Sequence, residues 1–554
     1  MTNLEVILIL MAVLAALSSV TNKLKIPYPV LLVIAGLIIG FIPGIPDINV
    51  PPDLIFLIFL PPLLYDAAGN VSWHEFKKYR RPISTLAIWL VFFTTTAVAV
   101  VAHYCIPGFS WPLAFVLGAI VSPPDAVAAT SATKGLGLPK RVLAILEGES
   151  LVNDASALVA YRYAVAAVLS GTFVLWQASF QFLLVAGGGI AVGLAIGYVF
   201  SRIHNYLLDN ATIETTLTIL KPFVSYLLAE HLGFSGVLAV VSTGLFISWR
   251  SHEIYSFQTR IQINGFWNIL IFLLNGFVFI IIGSQLPIIL KGLGNDSLPS
   301  LFGYGLLISF VAIAARIAWI FPLSYFSSLF RKLKNKNGEV INPSKNELFI
   351  ISWAGMRGVV SLATGLGLPL TLTNGEAFPQ RNVILLFTFI VIFVTLVLQG
   401  LTLPFLVRKL KVQESEAETW DEEKRLRLAM ARSSIFFIES ELSLNLPDQV
   451  LNDLKEMFEH QINYLNGVVR LGDKPKKGED LEATTIFRQY LASESQILDH
   501  QRNTIIRWHK EGTFSEEAIR NIEQELDIRS LNLEAQQKRL TTPNMPGSSQ
   551  RLTS

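Results

Sequence analysis

The chain has 554 residues, 52% of them hydrophobic, and a mean hydropathy of +0.49. This composition excludes an ordinary soluble protein and indicates several transmembrane helices. The net charge of +2 combines two unlike parts, because residues 1–411 hold 26 basic and 17 acidic residues whereas residues 412–554 hold 18 and 25. We therefore predict a membrane domain, 1–411, followed by a charged cytoplasmic tail, 412–554.

The sequence lacks the motifs of several other protein classes. Cys105 is the single cysteine, which excludes an intramolecular disulfide and a cysteine-based metal cluster. No P-loop, HExxH motif or Cys/His zinc spacing is present, so nothing supports ATP-driven pumping. We expect no enzymatic activity, no cofactor and no nucleic-acid partner.

Apolar runs of about helical span length occur thirteen times before the tail. They predict an all-α polytopic membrane protein with about 13 transmembrane helices. The runs cover residues 4–21, 27–43, 52–69, 83–104, 112–133, 140–169, 173–203, 213–231, 235–250, 261–290, 300–328, 346–371 and 382–407.

The basic residues between these runs predict the orientation of the chain. With the N-terminus outside, the loops predicted to be inside and the start of the tail hold 20 Lys and Arg, whereas the outside loops hold only Lys291 and Arg381. Cytoplasmic loops are enriched in basic residues, so we predict an outside N-terminus and a cytoplasmic C-terminus. The simplest setting is the inner (plasma) membrane of a bacterium, with membrane lipid as a partner.

The fifth run contains a predicted helix break. Pro123 and Pro124 each lack a backbone donor, so the helix should be interrupted there and leave carbonyl groups free. Asp125 follows directly, and it can cap the new helix end, bind a cation or do both. The third run carries a further acid, Asp66, which lies somewhat nearer the inner face.

The sixth run contains the acids of the segment 147–154 inside an apolar helix. Asp154 is 14 residues from the inner end of the run, or ~21 Å along a helix, which is near mid-membrane. Charges at this depth are costly and mark ion or proton pathways. Ser150 is one turn away on the same face, and the two oxygen groups suit a hard cation such as Na⁺. Glu149 points elsewhere, so we predict a structural ion pair with a buried arginine.

Two arginines lie in the last runs at a similar level, Arg316 in the eleventh and Arg357 in the twelfth. A guanidinium group does not bind a cation, so both are predicted to organise the site. Gly355 and Gly358 flank Arg357 and form a second plausible helix break. Broken helices at matching places of two inverted repeats are typical of secondary transporters that bind ions at mid-membrane.

Five motifs appear in the order known from one family, and the chain resembles the monovalent cation/proton antiporters of the sodium/proton exchanger type. The resemblance covers residues 1–411 and not the tail. The motifs are FLPPLLYDAA (59–68), SPPDAVAA (122–129), GESLVNDASALV (148–159), AARIAW (314–319) and GMRGVVSLA (355–363).

The resemblance implies thirteen helices in two inverted six-helix units, a homodimer, and alternating access by movement of a core domain. It implies that Asn153 and Asp154 form the central pair, with Asp154 binding either a proton or a cation. Among the other residues it implies site roles for Ser150, Asp125 and Asp66, and a pair between Glu149 and Arg316.

These observations favour a Na⁺ (or Li⁺)/H⁺ antiporter involved in sodium transport and pH homeostasis. A single titrating acid beside the neutral Asn153 favours electroneutral 1:1 exchange, and titration of Asp125 as well would change this ratio. Three alternatives stay open. A K⁺/H⁺ antiporter would use the same oxygen ligands, a proton channel would show uncoupled current, and a non-transporting sensor would leave the mid-membrane acids unexplained.

The tail reads as amphipathic helices separated by a polar stretch, with a disordered end at 541–554. Its length favours regulation of transport by a ligand or a protein. No motif in it names that ligand.

Overall fold

The computed structural model describes most of the chain between Asn3 and Thr541. The expected disordered end therefore lies almost wholly outside the described residues. Within 3–541, the residues that are not described are 25–26, 43–54, 134–135, 171–174, 207–209, 294–296, 327–343, 373, 414–415, 444–445 and 467–480.

Helices form the regular structure of the described residues, apart from one isolated β-bridge between Thr371 and Ala377. Within the described residues, sixteen helices precede the tail. They are α1 Asn3–Leu24, α2 Tyr28–Phe41, α3 55–70, α4 Trp73–Lys78, α5 Arg80–Cys105, α6 Trp111–Val121, α7 Ala126–Thr133, α8 Lys140–Ser170, α9 Leu175–Tyr206, α10 Ala211–His231, α11 Gly236–Ile254, α12 Phe257–Lys291, α13 Leu298–Phe326, α14 Lys345–Trp353, α15 Val359–Leu366 and α16 Arg381–Lys409.

Each of the thirteen predicted apolar runs contains helix. In the part of the chain that the structure describes, six helical stretches are long and apolar enough to cross a membrane, and three shorter ones are also apolar. The six are Arg80–Cys105, Trp111–Thr133, Gln181–His204, Phe257–Lys291, Leu298–Pro322 and Arg381–Lys409.

Two of the predicted runs are interrupted rather than continuous. The fifth is divided into α6 and α7, and the residues between them include Pro123 and Pro124. The twelfth is divided into α14 and α15 at residues 354–358. The start of α14 is fixed by a capping box, in which Ser344 Oγ accepts from the Glu347 amide at 3.1 Å and Glu347 Oε2 accepts from the Ser344 amide at 3.0 Å.

The chain divides into two compact units, of which the first comprises Met1–Ile254 and Ile263–Glu414. Its larger apolar core joins helices including α5, α6, α8, α13 and α16. A smaller apolar cluster joins α3, α8, α11 and α12 and includes Leu60, Ala155, Val237 and Val241. Helix α8 contributes to both clusters, and this position places its polar residues between them.

The second unit comprises Ser415–Ser554 together with Tyr255–Gln262. Its described helices are amphipathic and bury two apolar clusters, one around Leu426, Ile505 and Ile522 and the other around Ile438 and Leu454. The helices are α17 416–442, α18 Asp448–Leu465, α19 Leu481–Glu511 and α20 Glu516–Thr541.

The segment 255–262 includes the first residues of α12, and within the second unit it is held by α20 and α19. Arg260 donates to both carboxylate oxygens of Asp527, at 3.0 and 2.6 Å, and pairs with Glu523 at 3.2 Å. The Arg502 guanidinium lies over the Phe257 ring, 4.8 Å from its centroid. The Arg260–Asp527 side chains are only 10% and 4% exposed, so this is a largely buried, bidentate pair.

Candidate ion-binding site

A small cavity lies beside Asp154 in the first unit. Its volume is about 50 Å³, which exceeds the roughly 10–15 Å³ needed for one water molecule and admits a small ion with some hydration. Its walls come from α3, the α6–α7 break, α7, α8, α12 and the start of α15. Its polar lining residues are Asp125, Ser150, Asp154, Asn275 and Ser361.

Asp154 is the central acid of this cavity. Asp154 is 6% exposed, and its carboxylate has no hydrogen-bond or ion-pair partner among the residues that the structure describes. A buried ionised carboxylate without a partner is strongly unfavourable, so this group requires a proton or a cation. The geometry at Asp154 thus matches the requirement of an exchange site, in which two ligands compete for one group.

The break between α6 and α7 positions Asp125 and Ser150. Asp125 Oδ1 accepts from the amides of Val127, at 2.8 Å, and Ala128, at 3.4 Å, so this carboxylate caps the start of α7. Ser150 Oγ accepts from the Ala126 amide at 3.2 Å and connects α8 to the same helix end. Both side chains also line the cavity, so capping and ion binding are compatible for Asp125.

The two broken segments contact each other through backbone groups. The Asp125 amide donates to the Met356 carbonyl at 2.6 Å. A Cβ atom at Gly358 would lie 1.8 Å from Asp125 Oδ2, so the carboxylate occupies the space that a side chain would need. A residue larger than glycine at 358 would displace the Asp125 carboxylate from the cavity wall.

Arg357 donates to two carbonyl groups at the helix breaks and to one carbonyl within α13. Its Nε donates to the Val121 carbonyl at 3.1 Å, and Nη2 donates to the Ala312 carbonyl at 3.2 Å. Nη1 donates to the Gly355 carbonyl, and the residue is 1% exposed. A cation at the C-terminal end of α6 is also favoured by the helix dipole. Arg357 therefore organises the break and does not line the cavity.

Glu149 and Arg316 form a buried bidentate ion pair. Arg316 Nη1 and Nη2 donate to the two Glu149 carboxylate oxygens at 2.5 and 2.7 Å, and both residues are 1% exposed. Arg316 also donates to the Ile351 carbonyl, at 3.2 Å from Nε and 3.1 Å from Nη2. The Arg316 side chain packs against Gly355, where a Cβ would be 2.5 Å from its Cδ. The pair thus connects α8, α13 and the end of α14.

The remaining predicted residues lie next to this cavity rather than on its wall. Asn153 Nδ2 donates to the Pro124 carbonyl at 2.9 Å, and this bond holds α8 against the helix break. Asp66 is partly exposed and accepts from Asn70 Nδ2 at 3.0 Å. Its neighbour Ala67 lines the cavity, whereas Asp66 is not among the lining residues. The cavity also contains two residues that the sequence reasoning missed, Asn275 and Ser361.

A second cavity of about 380 Å³ lies further along α8, toward its C-terminal end. Its walls include Leu158, Tyr161 and Arg162 of α8 and also residues of α3, α9, α10 and α11. Arg162 Nη2 donates to both oxygens of Glu230 in α10, at 2.9 and 2.8 Å. The smaller apolar cluster supplies lining residues to both cavities, for example Leu60 to the first and Val237 to the second.

A family model described as "Sodium/hydrogen exchanger, transmembrane" matches residues 9–409. The chain belongs to this family. The family consists of transporters rather than enzymes, and this chain is an integral membrane protein. The identification made from the five sequence motifs is thereby confirmed.

The sequence of this chain is similar to those of curated relatives from several bacteria. The chain is 34% identical over 414 residues to the sodium, potassium, lithium and rubidium/H⁺ antiporter of Bacillus pumilus, a match that covers 73% of this chain and 61% of the relative. The chain thus spans about three fifths of that relative's length. It is 31% identical over 537 residues to an uncharacterized Na⁺/H⁺ exchanger of Mycobacterium bovis, a match that covers 96% of each protein.

The solved structure of the sodium proton antiporter MjNhaP1 from Methanocaldococcus jannaschii has a similar fold. The match has a TM-score of 0.57 and 22% identity, and it covers 74% of this chain and 99% of that protein. At this identity the likeness concerns the fold alone. The prediction of an all-α polytopic membrane protein is confirmed.

Proposed function

We propose that this protein is a secondary antiporter that exchanges Na⁺ or Li⁺ for H⁺ across a bacterial plasma membrane, with Asp154 binding either ion. The observation that carries this proposal is the buried Asp154 carboxylate, which faces a cavity and has no partner within the described residues. The Bacillus pumilus relative, whose name describes a cation/proton antiporter, supports the same class of activity.

The exchange follows from competition at one carboxylate. Ionised Asp154 attracts a cation, whereas protonated Asp154 does not. An empty, ionised site is costly to move through a low-dielectric environment, so only the loaded forms change their exposure. Asn153 is neutral and its amide is used by the Pro124 carbonyl, so Asp154 alone would exchange one cation for one proton without net charge movement.

We further propose alternating access between the two cavities, with the apolar cluster of α3, α8 and α11 as the barrier. The helix breaks fall in the fifth and twelfth of thirteen predicted spans, an odd offset that supports two inverted repeats. The proposed topology has the N-terminus outside and the C-terminus in the cytoplasm, and the proposed assembly is a homodimer. In this topology the larger cavity faces the outside.

Breaking the Arg162–Glu230 pair is expected to favour opening of the larger cavity. The side chains are 51% and 29% exposed, so the pair should contribute only about 0.2–1 kcal/mol, equivalent to a change of up to about fivefold. In a Cys105→Ser background, a cysteine introduced by Val185→Cys at the cavity wall should react up to about fivefold faster with an external, impermeant maleimide after Glu230→Gln.

Tyr163→Phe is a matched control for this measurement. Tyr163 also lies on α8 and bonds to Gln181 of α9 at 3.3 Å, but it does not line the cavity. Equal labelling rates in the parent and in Glu230→Gln would contradict a role of the pair in closing the cavity.

Potassium is the second candidate ion, because the name of the Bacillus pumilus relative includes it and oxygen ligands do not by themselves reveal ion size. The deciding experiment uses purified protein in liposomes with an acid interior and an internal pH dye. Internal alkalinisation on adding external Na⁺ or Li⁺, with the membrane potential clamped, would support electroneutral exchange. A response to K⁺ alone would favour K⁺/H⁺ antiport, and a folded protein without any cation response would refute the proposal.

For residues 412–554 we propose regulation of transport through the start of α12. The buried pair of Arg260 with Asp527 supports this, because α12 also supplies a wall of the ion cavity. Asp527→Arg would bring three basic groups together, since Arg502 is already 3.4 Å from Asp527. Like charges in a partly buried contact repel, so we expect faster proteolysis of the tail and at least a twofold change in exchange rate.

The control for the tail experiment is Glu439→Arg. This change reverses one charge of the Glu439–Lys455 pair, which lies within the tail helices and does not involve residues 255–262. An unchanged exchange rate in Asp527→Arg, despite faster proteolysis of the tail, would contradict regulation through this contact.

A further inference from the structure

Asn275 is the polar residue that α12 contributes to the ion cavity. It is 7% exposed, lines the same cavity as Asp154 and Asp125, and its Oδ1 has no hydrogen-bond partner among the described residues. A buried acceptor without a donor is unfavourable, because the oxygen has lost its hydrogen bonds to water without replacing them. Such a cost is avoided when a ligand in the cavity contacts the oxygen.

Ser361 shows the same combination on α15. It is 1% exposed, lines the cavity in the first turn of α15, and its Oγ has no partner among the described residues. Asn153 Oδ1 also has no partner among the described residues, but Asn153 does not line the cavity. Ser150 accepts from Ala126, and Asn153 donates to Pro124.

We propose that Asn275 Oδ1 is a direct ligand of the transported cation and a determinant of cation selectivity, with Ser361 Oγ as an additional ligand. This inference rests on the proposed exchange function and extends its site to two further helices. Hard cations prefer several oxygen ligands, and neutral oxygens add coordination without adding charge. Together with Asp154, Asp125 and Ser150, they supply oxygen ligands from α8, α12, α15 and the α6–α7 break.

A neutral ligand has a distinct effect on exchange. Asp154 alone decides between the proton and the cation, because it is the group that changes charge. Asn275 contacts the cation but has no affinity for the proton. Its removal should therefore weaken cation binding and alter the order of preference among Na⁺, Li⁺ and K⁺, while proton binding at the carboxylate continues.

The test compares Asn275→Leu, which keeps the volume and removes the oxygen, with Asn275→Asp, which keeps an oxygen at the same place. In proteoliposomes, we expect Asn275→Leu to raise the half-saturating Na⁺ concentration about five- to tenfold and to change the ratio of the Na⁺ and Li⁺ values. Asn275→Asp should bind Na⁺ at least as tightly as the parent. Ser361→Ala should show a smaller increase, of about two- to threefold.

Ser284→Ala is the control on the same helix. Ser284 is 5% exposed, but its hydroxyl donates to the Ile281 carbonyl at 3.0 Å and it does not line the cavity. The Ser284→Ala variant should have the same half-saturating Na⁺, Li⁺ and K⁺ concentrations as the parent. Na⁺-dependent protection against thermal unfolding gives a second readout that does not require transport, and this protection should decrease in Asn275→Leu.

The outcomes separate the two proposals. A folded parent that exchanges no cation would refute the exchange function itself. A parent that exchanges cations, together with an Asn275→Leu variant whose half-saturating Na⁺, Li⁺ and K⁺ concentrations and thermal protection are unchanged, would refute only the ligand role of Asn275. A uniform loss of maximal rate with unchanged half-saturation would equally refute it, because that pattern indicates a structural effect.

Discussion

Asp154→Asn is expected to abolish cation/proton exchange at every pH, to the level of protein-free liposomes. Asparagine has nearly the same shape as aspartate, so the packing of α8 should be preserved, but it neither ionises nor takes up a proton. The variant would carry a neutral group at a cavity position where the parent carries a carboxylate that has no partner among the described residues. The measurement is the response of an internal pH dye to external Na⁺, Li⁺ and K⁺ with the membrane potential clamped.

Asp125→Asn separates the two roles of the second acid in the cavity. An asparagine oxygen still accepts from the Val127 amide, so the start of α7 should remain capped. The loss of one negative charge should weaken Na⁺ binding while leaving exchange measurable. Exchange that persists in Asp154→Asn but is lost in Asp125→Asn would contradict the assignment of Asp154 as the shared group.

Charge movement reports the number of titrating acids. With Asp154 alone, the exchange rate should not depend on an imposed membrane potential, because one cation replaces one proton. If Asp125 also releases a proton in each cycle, the rate should depend on the potential, and Asp125→Asn should remove that dependence.

Much of the candidate site could be predicted from the sequence, because its features follow from local chemistry. The prolines at 123 and 124 cannot donate backbone hydrogen bonds, so an interrupted helix could be expected whatever surrounds it. The partners of the freed carbonyls could not be predicted in this way. Arg357 donates to the Val121 carbonyl across 236 positions of the chain, and such a contact depends on the packing of whole helices.

The sequence does not single out Asn275 and Ser361, because both are neutral and charged residues are the most costly groups within a membrane. Asn275 nevertheless shares the predicted depth of Asp154. Each residue lies 14 positions from the predicted inner end of its run, 140–169 for one and 261–290 for the other, so both fall ~21 Å along their helices. Ser361 lies within the motif GMRGVVSLA, one helical turn after Arg357.

The contacts of Asp66 and the assignment of residues 255–262 to the second unit both depend on long-range packing. The resemblance implies a site role for Asp66, whereas in the structure Asp66 bonds to Asn70 and the cavity wall is formed by Ala67. If Asp66→Asn leaves the Na⁺ dependence of exchange unchanged, this acid is not part of the site.

The extent of the second unit was only partly predictable. The change in charge density near residue 412 predicts the start of the tail, but composition does not indicate that residues 255–262 pack with it.

Arg316→Gln is expected to cause the largest loss of stability among the substitutions considered. The change leaves the Glu149 carboxylate buried without its partner, and breaking a buried ion pair on one side costs about 3–5 kcal/mol. It also removes the donors to the Ile351 carbonyl at the end of α14. We expect a marked decrease in the thermal unfolding temperature of the detergent-purified protein, together with loss of exchange.

A double substitution tests whether the loss of stability in Arg316→Gln comes from the broken ion pair. Glu149→Gln combined with Arg316→Gln leaves no unpaired charge, so the double variant should unfold at a higher temperature than Arg316→Gln alone. Arg162→Gln serves as the control on α8, because its pair with Glu230 is largely exposed and should contribute at most about 1 kcal/mol. Strictly additive losses in the double variant would mean that the two charges do not depend on each other. In that case the arginine would stabilise the end of α14 mainly through the Ile351 carbonyl rather than through Glu149.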